Sequence, residues 1–241
     1  MLFGYKGCLS KIPKLQVNGK LISWSHQAKH LGNTVASDLN EHLEIHAKKC
    51  DFIGRVNSLI ANFKSVSRPV VSKLFNSQCC HLYGSQAWSL DEKILEPFVT
   101  SWRKAIRKIW CLPHTARSHL LPYLAESMDL ESMVYARVAN LYRCMLEGHN
   151  PKMAHLINTS IDMKHVGFIG ENIIKISRKW NCSFFILKNN RYIINDEIAL
   201  VRVNIIKELS TIRLTNGHDL HITGFSHEDI CEMLQYIATY R

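Results

Sequence analysis

The sequence predicts a mainly α protein with a small N-terminal β-hairpin. Three observations carry that fold class. Apolar residues recur at helical spacing through most of the chain. Gly and Pro are sparse, 11 and 6 in 241 residues, which favours long elements over a loop-rich all-β fold. One Asn-Gly pair stands between two short runs of extended character, and that pair can adopt the positive φ values of a type I′ turn.

The hairpin is Leu15-Gln16-Val17, Asn18-Gly19, Lys20-Leu21-Ile22. It is not stable alone and must dock on something inside or outside the chain. A few polar residues follow, and Leu31-Gly32 reads as a sharp stop. From Ser37 the period becomes helical, with Leu39, Leu43, Cys50, Ile53, Val56, Ile60 and Phe63 on one stripe and Lys48, Lys49 and Arg55 opposite. Asp38 and Glu41 have the spacing of a capping pair. A second helix is expected from Pro69, a good first-turn residue, to Gly84. A third starts at Asp91 and ends at Leu112-Pro113, with Pro97 either in a kink or early in a restarted helix. Asp129 to Glu147 is a clean amphipathic helix with Asp129 as cap and Gly148 as stop. Its expected buried face is Leu130, Met133, Val134, Val138, Leu141, Met145 and Leu146. Shorter helices are expected around 152–160, 169–180, 196–213 and 226–239. "CSFFILKN" (182–189) reads as a strand that turns back through "RYIIN".

At 46% hydrophobic the chain can bury a core, so wholesale disorder is excluded. No run approaches the roughly 18 consecutive apolar residues of a membrane span. The N-terminus lacks the apolar core of a signal peptide, so a cytoplasmic or nuclear location and no membrane partner are expected. The eight cysteines are scattered without a CxxC pair and read as free thiols, several buried as small hydrophobes. The charge is uneven: residues 1–120 hold 17 Lys and Arg against seven Asp and Glu, whereas 121–241 hold 13 of each. The whole net charge of +10 therefore sits in the first half, as a polyanion-binding surface or a solvated basic face would place it.

Catalytic chemistry finds little support. The adjacent acidic pairs Asp91-Glu92, Asp196-Glu197 and Glu228-Asp229 each fall where a helix should start, where they complement its dipole. There is no Tyr-x-Asp-Asp, no Gly-x-Ser-x-Gly elbow and no phosphate-binding glycine loop. Nothing in the spacing points to a Cys–His pair, although such partners can lie far apart in sequence. His42/His46/Cys50, Cys111/His114/His119 and His218/His221 look ligand-like, but none supplies the two close pairs of a structural zinc site. Solvated or packed histidines are the simpler reading.

Basic residues interleaved with aromatics remain. Residues 48–73 carry six Lys or Arg and one acidic residue, Asp51; residues 101–117 carry five and none. In the second stretch Trp102, Ala105, Ile106 and Ile109 can face a core while Arg103, Lys104, Arg107 and Lys108 project together. Such a strip can track phosphates without reading bases. Arg55, Lys64, Arg68, Lys73, Arg103, Lys104, Arg107 and Lys108 are the phosphate-contact candidates.

The order of features then carries a resemblance. A hairpin is followed by "KHLGNTV" (29–35), a basic helix, "LFNSQCCHLYGSQAW" (74–88) and "WRKAIRKIWCLPHTARSHLL" (102–121). This resembles the region after the catalytic palm in reverse transcriptases of non-LTR retrotransposons, the long-interspersed-element type, and most the jockey and chicken-repeat-like groups. Leu82-Tyr83-Gly84 with Trp88 would mark the end of the thumb. Leu112-Pro113 to Leu120-Leu121 would open the C-terminal region. The resemblance covers about residues 1–150 and implies a palm-end hairpin (1–35), a thumb-like helical domain (36–90) and a C-terminal helical domain (91–241). It implies RNA and an RNA–DNA template–primer as partners, together with the rest of the reverse transcriptase. The fingers and the palm aspartates of that family are not in this sequence; with Met1 as the true start, the expectation is a truncated copy, inactive as an RNA-directed DNA polymerase. Magnesium belongs to the missing palm, and no cofactor is expected here. The alternatives are an independent helical module that binds nucleic acid or protein, and a non-functional relic.

Overall fold

The computed structural model describes residues 12–38, 40–125, 127–162 and 167–180. The strand expected at 182–189, its return through "RYIIN", and the helices expected at 196–213 and 226–239 lie outside them. The described elements are β1 (Leu15–Val17), β2 (Lys20–Ile22), β3 (Gln27–His30), β4 (Asn33–Ala36), α1 (His42–Asn62), α2 (Arg68–Gln78), α3 (Glu92–Ile109), α4 (Leu121–Ala125), α5 (Leu130–Glu147), α6 (Pro151–Asp162) and α7 (Phe168–Lys179). The fold is mainly helical, with small antiparallel hairpins at its N-terminal end. The described residues divide into two compact units, with the boundary between Cys50 and Asp51.

In the first unit, β1 pairs with β2 in the expected register, Leu15 opposite Ile22. Asn18 and Gly19 both have positive φ, +49° and +74°, as a type I′ turn requires. Leu31-Gly32 is not a stop. It closes a second hairpin, β3 with β4, in which His30 faces Asn33. Leu31 and Gly32 take φ values of +48° and +79°, so a leucine fills a position that turn chemistry usually gives to Asn or Asp. That conformation costs an L-residue about 1–2 kcal/mol.

The hairpin is tied to the start of α1 by Thr34, whose N–H donates to the buried Glu44 carboxylate at 2.6 Å. Lys48 lies 3.4 Å from that carboxylate, one helical turn on. The expected Asp38–Glu41 capping pair is corrected. Asp38 accepts from Asn40 N, Asn40 Oδ1 accepts from His42 N at 2.9 Å, and the helix starts at His42. The pair therefore lies upstream of the first turn.

The expected stripe on α1 is also corrected. Val56 is buried as expected, but Leu43, Cys50 and Ile53 are exposed, Leu39 lies outside the described residues, and the buried row is Ile45, Phe52, Val56 and Leu59. Both rows have helical spacing, so spacing does not choose between them. In the second unit Phe52 chooses: its ring meets those of Phe75 and Phe98 edge-on, with centroids 5.8 and 5.4 Å apart.

The α2 helix starts at Arg68 with Pro69 in its first turn, as expected, but ends at Gln78 rather than Gly84. Cys79, Cys80 and Leu82 are all buried. Continued as a helix they would spread around its circumference, so the chain leaves the helix to bury all three. Gly84, at φ +90°, then turns into a short 3-10 segment, Ser85–Ala87.

Asp91 caps α3 by accepting from Lys93 N at 3.0 Å, which is the structural role expected of the Asp91-Glu92 pair. The helix runs unbroken through Pro97, so there is no restart. At its end Leu112 N donates to Arg107 O at 2.8 Å and Cys111 N to Lys108 O at 3.4 Å. Cys111 has φ +53°. This is a Schellman turn with cysteine where glycine is usual. Trp102, Ala105, Ile106 and Ile109 are buried, as the sequence predicts for this face, and Trp110 just after the helix is buried too.

Asp129 caps α5 by accepting from Ser132 N at 2.8 Å. The buried face of α5 is Leu130, Val134, Tyr135, Val138, Ala139 and Tyr142; Met133, Leu141, Met145 and Leu146 are only half-buried. The helix is rotated from expectation because its two tyrosines turn inward. α6 and α7 match the expected helices at 152–160 and 169–180. Asn172 of α7 is 1% exposed. It accepts from Leu90 N at 2.9 Å and donates to Trp88 O and Tyr142 Oη at 3.1 and 3.0 Å. One amide side chain thereby fastens α7 to α5 and to the segment before α3.

Candidate nucleic-acid interface

The eight basic candidates do not form one strip. Arg55 pairs with Asp51 at 2.7 Å and donates to Gln78 O at 3.3 Å. Its charge is partly answered at the rim of a bowl of about 480 Å³, also lined by Ser58, Asn62 and Cys79. Arg68 donates to Cys111 Sγ at 3.1 Å, which joins the start of α2 to the end of α3. Lys64, in the turn after α1, and Lys73, on α2, are exposed.

The α3 quartet splits by position on the helix. Arg103 is half-buried and reaches back to Glu96 at 3.1 Å. Arg107 is also half-buried and donates to Ala116 O at 2.8 Å and Ser118 Oγ at 2.9 Å. Burial, with the Arg103 charge beside it, lowers the pKa of the Arg107 guanidinium below the ordinary arginine value. Lys104 and Lys108 are exposed, one turn apart. Lys108 Nζ donates to Asn57 Oδ1 of α1 at 3.1 Å.

The structure thus places Lys104 and Lys108 on one wall of a groove between α1 and α3. Its volume is about 240 Å³, and Phe52, Ile53, Val56, Asn57 and Ala105 line it with them. No acidic residue occurs from Pro97 to Ala125, and the nearest acid upstream on α3, Glu96, is paired with Arg103, so Lys104 and Lys108 give this wall a positive character. Asn57 and Ile53 were not candidates from the sequence. Spacing shows which residues share a helix face; it does not show which faces of two helices meet.

Among the described residues, no group of three or more His, Cys, Asp or Glu comes together that could hold a metal ion. His42/His46/Cys50 and Cys111/His114/His119 do not assemble, and His218/His221 lies outside the described residues. Cys50 Sγ lies 3.8 Å from His46 Nδ1, and both side chains are exposed. The five described cysteines, Cys50, Cys79, Cys80, Cys111 and Cys144, are free. Burial raises the Cys79 thiol to about 11, against an opposing effect of Arg55. Burial, with Cys79 adding to it, raises Cys80 to about 12, opposed by the Trp102 indole and by Arg137. Thiols held this far above neutrality are packing groups rather than nucleophiles. No helix among the described residues is long and apolar enough to cross a membrane.

Comparison of the chain with protein-family models, with curated proteins and with solved structures found no match.

Proposed function

We propose that the chain binds a nucleic-acid backbone through the exposed lysines of α3, as the thumb and C-terminal part of a non-LTR retrotransposon reverse transcriptase. The observation that carries the binding is the acid-free stretch Pro97–Ala125, in which Lys104 and Lys108 stand exposed one turn apart while Trp102 of the same helix and Trp110 at its end are buried. Two ammonium groups repeated along a helix suit a row of phosphates and carry no base specificity. The ordered hairpin, basic helix, Leu82-Tyr83-Gly84 with Trp88, and Leu112-Pro113 segments support the family reading. The exposed Leu15, Val17, Leu21 and Ile22 of the first hairpin support it too. A bare two-stranded hairpin is marginal in water, and the rest of a polymerase would cover those side chains. RNA and an RNA–DNA template–primer are the partners, and a cytoplasmic or nuclear site of action goes with them.

The test is fluorescence anisotropy of the purified chain with a labelled RNA–DNA template–primer across a salt series. Binding that weakens with a log–log slope of several units supports backbone contact, at about 0.9 per phosphate on B-form duplex. Absence of binding at low salt sinks the proposal. The same preparation is expected to extend no primer with magnesium and deoxynucleotides, because no catalytic carboxylate set was found in the sequence. Magnesium-dependent extension would contradict that expectation.

A further inference from the structure

We propose that the α1–α3 groove is a subsite for a single unstacked nucleotide of a nucleic-acid strand, its base on the apolar floor and its phosphate on Lys104 and Lys108. The inference rests on the phosphate-binding reading above and goes beyond it. A phosphate row needs only the lysines, yet the lysines here border a cleft. The cleft holds about 240 Å³, below the span of pockets that take drug-sized ligands and of the scale of one nucleoside.

The floor and walls suit such a guest. Val56 and Ala105, which line it, are buried, and Ile53, which lines it too, is 40% exposed. A large apolar side chain left open beside two cations fits a ligand with an apolar face and an anionic edge. Phe52 also lines the groove but is 3% exposed, so no aromatic face is offered for continuous stacking of bases. That favours one base tucked against aliphatic groups over a stacked run. Asn57 gives its Oδ1 to Lys108 at 3.1 Å, which leaves its Nδ2 as a donor to the sugar or base edge. Ser101 turns its hydroxyl back to Pro97 O at 2.9 Å and takes no part.

The consequence is a preference for strands with unpaired nucleotides. The test compares anisotropy of the full chain with an RNA–DNA duplex carrying a five-nucleotide overhang and with the same duplex carrying an abasic overhang. Phosphate count is identical, so only the bases differ. The normal overhang should bind about fivefold to tenfold more tightly, the effect of covering the floor with one base. Ile53→Ser, at an exposed position, should erase that difference and leave the salt slope unchanged. Equal binding of the normal and abasic overhangs overturns the subsite and leaves the phosphate reading standing. A difference that survives Ile53→Ser also overturns it. No binding to either duplex removes both readings.

Discussion

Arg107 Nη2 lies 2.8 Å from the carbonyl oxygen of Ala116, while Lys108, its neighbour in sequence, reaches to Asn57 of α1. Two adjacent cations thus have different jobs. The backbone carbonyl of Arg107 also accepts from Leu112, so this residue holds the loop after α3 from both its main chain and its side chain. Arg107→Gln is expected to lower stability by about 1–2 kcal/mol, the range for losing a charge-assisted hydrogen bond at a half-buried site. It should leave the salt slope of nucleic-acid binding almost unchanged. Urea unfolding read beside anisotropy checks both statements; an unaltered midpoint would show that the Ala116 and Ser118 bonds contribute nothing.

Cys111 occupies the left-handed position of the Schellman turn at φ +53°. Glycine takes that conformation at no steric cost. Cys111→Gly should raise stability by up to about 1 kcal/mol, offset in part by the greater freedom of glycine in the unfolded chain and by loss of the Arg68 contact. A lowered melting temperature would mean that the Arg68–Cys111 contact outweighs the backbone strain.

Asn172 is buried with three hydrogen bonds to Leu90, Trp88 and Tyr142. Asn172→Ala leaves a buried N–H and a carbonyl without their partner and should cost about 2–4 kcal/mol. Amide exchange at Leu90 should rise with it. Retained protection at Leu90 would assign the seating of α7 to apolar packing alone.

High pH should loosen the second unit. Cys79, Cys80 and Tyr135 have folded-state pKa values raised to about 11, 12 and 12 from ordinary values of 9.0, 9.0 and 10.0. For Tyr135 the causes are burial first, then Glu131 and Glu92. In each case the folded form holds its proton more tightly than the unfolded one. Their contribution is therefore fully present below pH 9 and is lost as the pH rises from there towards 12. Each group therefore lowers stability as the pH rises through its own window. Melting curves between pH 8 and 10.5 should show a falling midpoint, and Cys80→Ala should flatten the fall. A midpoint independent of pH over that range contradicts the account.

Several of these groups were legible in the sequence and several were not, for physical reasons. Asn18-Gly19 announced its hairpin because the pair has one favoured turn. Leu31-Gly32 hid the second hairpin because leucine is a poor residue for positive φ. The caps at Asp91 and Asp129 were legible because a cap is a local hydrogen bond between a side chain and a nearby N–H. The buried row of α1 was not, since two rows have helical spacing and only the rings of Phe75 and Phe98 decide between them. The division of the α3 cations into Arg107, bound to its loop, and Lys104 and Lys108, open to solvent, depends on where residues 116–118 return. That is a tertiary fact without a spacing signal. The same holds for Asn57 across the groove and for Asn172.

The most direct measurement is the salt slope of template–primer binding for the wild-type chain, for Lys104→Gln/Lys108→Gln and for Arg107→Gln. The account predicts that the double variant lowers the slope by about 1.8, two phosphates at about 0.9 each. Arg107→Gln should keep the wild-type slope. An unchanged slope in the double variant, or no binding of the wild-type chain at low salt, would contradict the claim that this face of α3 grips a nucleic-acid backbone.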